Sequence, residues 1–507
     1  MLAEIYGGGV SSNDVVGFFN DQGLQGGNLR RAARPSIWLH PSSRGFAHVR
    51  VEWQTAGSLM CVNKCEVRQA RHWHRATPWS ALAAPKPLPH LLPYRRMPAA
   101  PQTLPASRTP AMTPGVVVVV LSLLLGIQPI TTDLYLPSLP ALTESFGVPV
   151  TQAQLTLTTL LLAFGTSQLV WGPLSDRFGR RPVLLAGLSA YTLASIGCAL
   201  APSMALLIVW RTVQGAAMGA AVMGARAIIR DLYSPEIGAR VMANAMGGLG
   251  VIACLSPPLG GLIGETLGWR YALGALALFG TAGVTLVALR FQESVPRRNP
   301  RALEPRILVT NWLAIVRNPT FLAFTALSTC AYAGLFTFLA SSSFVFIKVL
   351  GFTRIQYGML VFSMSFTYLL GTLVCRRMLP RHGIRRSVAI AGALSLAGGT
   401  LLGLLALAGV RQPMLMILPY YLFILAHGIH QPCAQSGAVG PFPQAAGAAS
   451  ALNGFMSMVV AFGVGIWVGT RLDGTVFALS NGVWFWSVCI AAVAWTLVQR
   501  HGEHRRA

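Results

Sequence analysis

The sequence predicts an all-α membrane protein with twelve transmembrane helices in two six-helix bundles. Hydrophobic residues make up 53% of the 507-residue chain and charged residues only 11%, a balance that no soluble domain of this length needs to fill its core. Twelve apolar runs can each cross a hydrocarbon layer of about 30 Å, which takes ~20 helical residues. Arginines concentrate in the short loops between the runs, where they act as topology signals.

The twelve runs must be helices because lipid offers the backbone no other hydrogen-bond partner. Their predicted bounds are 116–137, 151–171, 182–201, 204–226, 242–264, 271–289, 320–345, 355–375, 387–408, 413–434, 448–470 and 475–498. The longest connection divides them six and six. The predicted organisation is therefore a bundle over 112–290, a cytoplasmic inter-bundle loop over 291–319, a second bundle over 320–499 and a cytoplasmic tail over 500–507.

The basic residues predict the orientation. If the N-terminus is cytoplasmic, the loops and tail on that side hold twenty Lys and Arg residues from Arg177 onward, and the other loops hold five. This bias predicts both termini on the cytoplasmic side of a bacterial inner membrane. Because the formal charge of +24 lies in such loops, we attribute it to orientation and not to a nucleic-acid partner.

An arginine-rich hinge, GPLSDRFGRRP, lies between the second and third predicted spans. Glycine and proline break the helices there, and the acid can pair with an arginine or face the positive end of a neighbouring helix. The hinge is expected to be remade as helices move. Its residues of interest are Gly172, Asp176, Arg177, Gly179, Arg180 and Arg181.

The hinge is also half of an internal repeat. RFGRR returns as RHGIR at 381–385, with Pro380 where Asp176 stood. Two halves related by duplication are the expected plan of a transporter whose substrate site lies between them. The loss of the acid predicts that only the first copy keeps a full charge relay.

Residues 1–111 do not fit this plan. They are basic, rich in proline and without visible helical or strand periodicity, so we expect disorder and no signal peptide. Met97 and Met112 are possible alternative starts. No metal site is predicted, because the spacing of the cysteines and histidines in this segment is unlike that of a paired zinc finger; these are Cys61, Cys65, His72 and His74.

Two charges lie well inside the spans of the first half, Asp133 and Arg211. An ionisable side chain in hydrocarbon costs about 2.5 kcal/mol or more unless it meets water or a partner. Both are expected at similar depth, so they could pair or exchange a proton-dependent contact. Alternatively, Asp133 caps an interfacial helix end and Arg211 bonds carbonyls freed by Pro129.

The second half has no acid inside a span, which predicts an amphipathic, weakly charged cavity suited to neutral or lipophilic compounds. His427 and His430 share one helix face and could accept protons, although packed histidines are also common. The possible cavity residues of both halves are Tyr135, Gln214, Phe344, Tyr420, His427 and Gln431.

The hinge resembles the signature loop of the major facilitator superfamily. DLYLPSLPAL, LLIVWRTVQGAAMGA, RAIIRDLY and Gly247 followed by SPPLGG together resemble its Bcr/CflA group of twelve-span drug:proton antiporters. The similarity runs from about Thr113 to Gln499. It implies the major facilitator fold, two bundles that rock about a central cavity, and efflux of drugs such as bicyclomycin or the phenicols against proton entry.

The resemblance also implies roles for particular residues. Asp133 matches the position linked to protonation and substrate, and Arg211 matches the arginine linked to proton coupling. The hinge matches a cytoplasmic gate loop, with Asp231 as its expected partner. The antiporter motif of the fifth span is matched by Gly247, Pro257, Gly260 and Gly261, with Ser256 where a Gly or Ala is usual.

Other functions are weighed against this one. An enzyme is not expected, because the chain has no nucleophile constellation, no HExxH and no phosphate loop. A channel, or a proton-coupled sugar or metabolite symporter, stays open because fold does not fix cargo or direction. The expected partners are the lipid bilayer, a small-molecule drug and protons, acting on a monomer that needs no cofactor beyond the proton gradient.

Overall fold

A computed structural model describes residues 36–41, 47–55, 58–61, 65–67, 112–295, 298–410 and 412–502. The chain divides into two compact units, Met1–Gln102 and Thr103–Ala507. The predicted bundles, the inter-bundle connection and nearly all candidate residues fall in the second unit.

The described part of the first unit is a small antiparallel sheet. Its strands are β1 Ser36–Pro41, β2 Ala47–Thr55, β3 Ser58–Cys61 and β4 Cys65–Val67. The long strand β2 pairs with β1 along one edge and with β3 and β4 along the other.

The sequence analysis found no strand periodicity in this segment, and for β2 that was wrong. The sequence AHVRVEWQT alternates apolar and polar residues, which favours a strand. The disorder expected elsewhere in 1–111 stays a prediction, because those residues, with His72 and His74, lie outside the described part of the chain.

The second unit is helical. Its helices are α1 Pro114–Asp133, α2 Leu139–Phe146, α3 Val150–Phe178, α4 Arg180–Ala199, α5 Met204–Leu232, α6 Pro235–Thr266, α7 Trp269–Arg290, α8 Pro305–Val316, α9 Pro319–Ser343, α10 Arg354–Leu407, α11 Pro413–Val439, α12 Ala446–Arg471, α13 Phe477–Trp495 and α14 Leu497–His501. A 3₁₀ turn, Leu136–Ser138, joins α1 to α2, and a π-helical turn, Phe344–Val349, extends α9.

Eleven helical segments of the described chain are long and apolar enough to cross a membrane. One of them, α10, has 54 residues and is therefore about 80 Å long at 1.5 Å per residue, enough for two crossings. Its backbone leaves the helical region at Gly383, where φ is 68°. Divided there, α10 supplies the eighth and ninth spans, which is consistent with the twelve that the sequence predicts.

Several helix starts are fixed by side chains that satisfy free backbone N–H groups. Ser203 accepts from Leu206 at the start of α5. Asn318 accepts from two backbone N–H groups at the start of α9. Thr353 and Gln356 form a reciprocal capping box that starts α10. These caps set the points at which three spans begin.

The inter-bundle connection contains a helix that the sequence analysis treated as loop. Residues 291–319 include α8, whose sequence PRILVTNWLAIV is an apolar run too short to cross a bilayer. Its length explains why it was not counted as a span, and Pro305 in its first turn favours the start of a helix there.

Deletion of residues 1–110 should leave insertion and transport by the second unit intact. The truncated chain keeps every span and keeps Met112, whose Sδ accepts from the backbone N–H of Gln292. The test compares membrane-inserted protein and activity for the full chain and the truncation, each expressed from its own start codon. Loss of inserted protein on truncation would contradict the prediction.

Candidate functional site

Arg211 is the centre of a polar cluster inside the first half. It lies in α5 and is completely buried. One guanidinium N–H donates to Gln214 Oε1 at 2.7 Å, and others point at the carbonyl oxygens of Thr131 and Thr156 at 3.4 Å. The guanidinium carbon also lies 4.3 Å from the centre of the Tyr135 ring. The buried cation is thus surrounded by neutral oxygens and an aromatic face.

Further hydrogen bonds extend this cluster over four spans. Gln214 Nε2 donates to Ser195 Oγ at 2.6 Å. The hydroxyls of Tyr191 and Thr131 lie 2.6 Å apart, and those of Tyr135 and Thr156 lie 2.7 Å apart. We call this set the arginine cluster; its members are Thr131, Tyr135, Thr156, Tyr191, Ser195, Arg211 and Gln214.

Two predicted cavity residues belong to this cluster. Tyr135 and Gln214 are both completely buried, and each has a hydrogen-bond partner within the first half. In this structure they are part of packed interior and not of an open surface. Sequence alone could not separate the two situations, because both place a polar side chain on an apolar helix.

Asp133, the last residue of α1, is half-buried. Its carboxylate accepts from the hydroxyl of Thr132 at 2.8 Å. The 3₁₀ turn that begins three residues later, Leu136–Ser138, packs against α9 and α10 of the second half. Asp133 therefore lies close to the seam between the two halves.

The expected pairing of Asp133 with Arg211 is absent. No ion pair joins them, and Asp133 pairs with no other base among the residues that the structure describes. The helix period gives the reason. Thr131 contributes to the arginine cluster, and a residue two positions later points about 200° away around the helix.

The antiporter motif lies in α6, which packs at this seam against residues of both halves. A Cβ at Gly260 would overlap the carbonyl oxygen of Leu134, the residue after Asp133. A Cβ at Gly261 would stand 2.5 Å from the carbonyl oxygen of Arg354, at the start of α10. Pro257 lies one turn earlier in α6. Gly247 is different, because no atom lies within 4 Å of its Cβ position.

A network of charges surrounds the hinge. The guanidinium of Arg180, a residue that is 3% exposed, lies 2.7 Å from the carboxylate of Asp176 and 2.8 Å from that of Asp231. The guanidinium of Arg230 is more distant, 3.9 Å and 4.0 Å from the carboxylates of the same two acids. We call these four residues with Glu293, described next, the gate network.

Glu293 is a member of this network that sequence reasoning missed. Its carboxylate accepts from the backbone N–H groups of Arg180 at 2.8 Å and Arg181 at 3.2 Å, and so caps the positive end of α4. Gly179 makes room for it: φ is 108°, and a Cβ would overlap the carboxylate. The available signal was an acid close to the end of the sixth span, at the start of a basic connection.

The other hinge residues contact none of the acids of the gate network through their side chains. Arg177 lies over the ring of Phe178 at 5.5 Å, and Arg181 donates to the carbonyl oxygen of Ala288 at 2.9 Å. Gly172 faces only the end of the Met223 side chain, 3.7 Å from its Cβ position. The buried charge of the hinge is therefore carried by Arg180.

We call the end of the bundle with the gate network the basic end. At the opposite end the two halves are joined by polar contacts. Lys348 pairs with Glu144. The backbone N–H of Arg354 donates to Glu265 at 3.0 Å, and Gln154 donates to the carbonyl oxygen of Ala340 at 2.5 Å. These contacts close the seam at that end in this structure.

The predicted cavity residues of the second half are also largely packed. Phe344 is buried, and Tyr420 is stacked on Phe338 with ring centres 3.9 Å apart. His427 is buried, and Gln431 is half-buried. Their assignment to a substrate cavity stays a prediction, which would require helix movement to expose them.

Eleven membrane-spanning segments among the described residues, one of them long enough for two crossings, with an acid at the seam and a charge network at one end, are typical of a membrane transporter. Residues 121–466 match the Major Facilitator Superfamily, and the chain belongs to this family.

Among curated proteins, the chain is 28% identical over 324 residues to the chloramphenicol resistance protein of Pseudomonas aeruginosa, covering 63% of this chain and 75% of that protein. It is 27% identical to the bicyclomycin resistance protein homolog of Haemophilus influenzae, covering 68% and 86%. It is 30% identical to multidrug resistance protein D of Escherichia coli, covering 66% and 83%.

Solved structures show the same fold. The human organic anion transporter superposes with a TM-score of 0.57 at 20% identity, covering 76% of this chain and 99% of that one. The xylose transporter of E. coli, in a partially occluded inward-open conformation, gives a TM-score of 0.60 at 13% identity, covering 77% and 100%.

Within the gate network, Asp231→Asn should reduce transport more than Asp176→Asn. The side chain of Asp231 is 9% exposed and that of Asp176 is 41% exposed, so water compensates less for the lost charge at Asp231. Breaking a buried pair costs about 3–5 kcal/mol, far more than an exposed one. The measurement is the initial transport rate per inserted protein.

Arg177→Ala is the matched control, because Arg177 touches a ring and not an acid. It should keep near wild-type transport, whereas Arg180→Ala should not. Equal losses in Asp176→Asn and Asp231→Asn, or a large loss in Arg177→Ala, would contradict a network centred on Arg180.

Proposed function

We propose that this transporter exports small, neutral to lipophilic, drug-like compounds by alternating access, driven by proton entry. The names of the curated relatives support the cargo class, since they are resistance proteins for chloramphenicol, bicyclomycin and multiple drugs. The packed aromatic and weakly charged residues of the second half suit such cargo if they are exposed in the transport cycle.

One observation carries the proton-coupled part of the proposal: Asp133 is a half-buried acid at the seam with no ion-pair partner among the described residues. A carboxyl group there can be neutral while the site is dry and ionised when water reaches it. That alternation can link one proton to one conformation. A carboxylate already paired with Arg211 would lack this freedom.

Arg211 acts in this proposal through the backbone of α1. Its guanidinium contacts the Thr131 carbonyl, two residues before Asp133, so a shift of α1 that moves the carboxyl group also disturbs the arginine cluster. Its contribution to coupling is therefore positional, without a direct ion pair.

The chain is a multi-pass membrane protein whose curated relatives above are bacterial, which implies the inner membrane. We infer further that the basic end is cytoplasmic, so that both termini are cytoplasmic, and that the transporter works as a monomer. With this orientation, the contact between Glu144 and Lys348 belongs to an outer gate that is closed.

A susceptibility panel in a pump-deficient bacterial host tests the cargo. Expression should raise the inhibitory concentration of chloramphenicol or bicyclomycin, and proteoliposomes should move the same drug against its gradient when a pH gradient is imposed. Inward accumulation of a sugar or metabolite would instead favour a symporter, and flux only down a gradient would favour a channel.

Asp133→Asn should abolish transport that depends on the pH gradient, because an amide cannot exchange a proton. The variant should reach the membrane and still exchange a neutral substrate at zero gradient. The control is Asp473→Asn, which changes an exposed acid that bonds only Thr475 nearby. Uphill drug efflux by Asp133→Asn equal to that of wild type would remove Asp133 from the coupling.

Arg211→Lys should insert normally but lose most coupled transport. Lysine keeps the charge but cannot reach Gln214 and the Thr131 and Thr156 carbonyls together, as the planar guanidinium does. The matched control is Arg471→Lys, at an exposed site. Drug flux is measured with and without a pH gradient. Coupled transport retained in Arg211→Lys would mean that charge alone is required.

A further inference from the structure

Helix α8, in the connection between the halves, has two kinds of surface. Trp312, Ile315 and Val316 pack on the bundle, and Ile315 is 1% exposed. Val309 and Leu313, four residues apart along the edge of this buried face, are 48% and 49% exposed. Exposed apolar side chains on a helix that already has a buried face call for a further partner.

The neighbouring span places α8 at the membrane surface. Only two residues lie between the end of α8 and the start of the candidate span Pro319–Val349, so the chain between them can extend over about 10 Å at most. Asn318 fixes the junction by capping α9. A helix held this close to the start of a span lies at the boundary between lipid and water.

The charges of α8 are arranged for such a boundary. Arg306 and Arg317 are exposed, and neither has an acidic partner among the described residues. Counting helical positions, they lie beside Val309 and Leu313 on the same side of α8. Asn311, two residues from each apolar position, points to the opposite side. An apolar stripe flanked by arginines is typical of helices that bind anionic lipid surfaces.

We propose that α8 is a docking surface for the anionic phospholipids of the adjacent leaflet. Val309 and Leu313 enter the acyl-chain boundary, and Arg306 and Arg317 bind the phosphate groups. The surface does not depend on the transported compound or on proton coupling.

This contact also reaches the gate network through the chain. The backbone N–H of Asn299, at the start of the same connection, donates to the carbonyl oxygen of Asp176 at 3.0 Å. Lipid bound to α8 therefore restrains the connection at one end while the hinge holds it at the other.

Photo-crosslinking of the full chain in lipid nanodiscs tests the proposal. The photoreactive residue p-benzoylphenylalanine replaces Leu313, Val309 or, as the matched control, Asn311. The nanodiscs contain equal amounts of phosphatidylcholine and phosphatidylglycerol, and mass spectrometry identifies the adducts. Positions 309 and 313 should yield phospholipid adducts enriched in phosphatidylglycerol, and position 311 should yield few.

The charge contribution is tested separately with Arg306→Gln/Arg317→Gln in the Leu313-substituted chain. The enrichment should fall by up to about fivefold for each arginine, whereas Arg471→Gln, at the opposite end, should leave it unchanged. As many lipid adducts at position 311 as at 313, or crosslinks at 313 only to protein, would overturn the docking surface. Equal labelling of both lipids at position 313 in the chain that keeps both arginines would overturn its preference for anionic lipid.

Discussion

The buried guanidinium of Arg211 is the constraint on which the first half depends. In lipid, a charge without partners is costly, and every polar group must be satisfied inside the protein. This chain satisfies Arg211 with neutral oxygens and the Tyr135 ring and not with a carboxylate. The consequence is that Asp133, the nearby acid, is free to face the seam. In the proposed mechanism, satisfying the cation with other groups leaves Asp133 available to exchange a proton.

Glycine allows the spans to pack closely where they cross. The Gly260 backbone lies against Leu134, and those of Gly371 and Gly428 lie against each other, each too close for a side chain. Without a hydrophobic driving force between helices in lipid, such contacts supply van der Waals attraction. Gly260 also places the fifth span directly beside the end of α1, so displacement of either helix changes the surroundings of Asp133.

Sequence patterns predicted the spans well because their length and apolar composition are imposed by the bilayer. They identified Asp176 in the hinge, and the family resemblance added Asp231. Neither indicated that Arg180, among three neighbouring arginines, is the buried one, since burial depends on tertiary packing. Glu293 was missed because its partners are backbone N–H groups 112 and 113 residues away in sequence. The sequence left open whether Asp133 pairs with Arg211, because the α1 face that meets Arg211, occupied here by Thr131, is set by tertiary packing.

The two copies of the hinge show what the lost acid changes. Gly179 and Gly383 occupy the same position in RFGRR and RHGIR, and both have positive φ, 108° and 68°. The turn is therefore common to both halves. Around the first copy, three acids hold Arg180 and the start of α4; in the second, Pro380 replaces the acid, and Arg385 bonds the backbone of Gln499. At the place of Arg180 the second copy has Ile384, so the buried ion pair between Arg180 and Asp176 has no counterpart at the matching positions, and a switch that depends on this pair belongs to the first half.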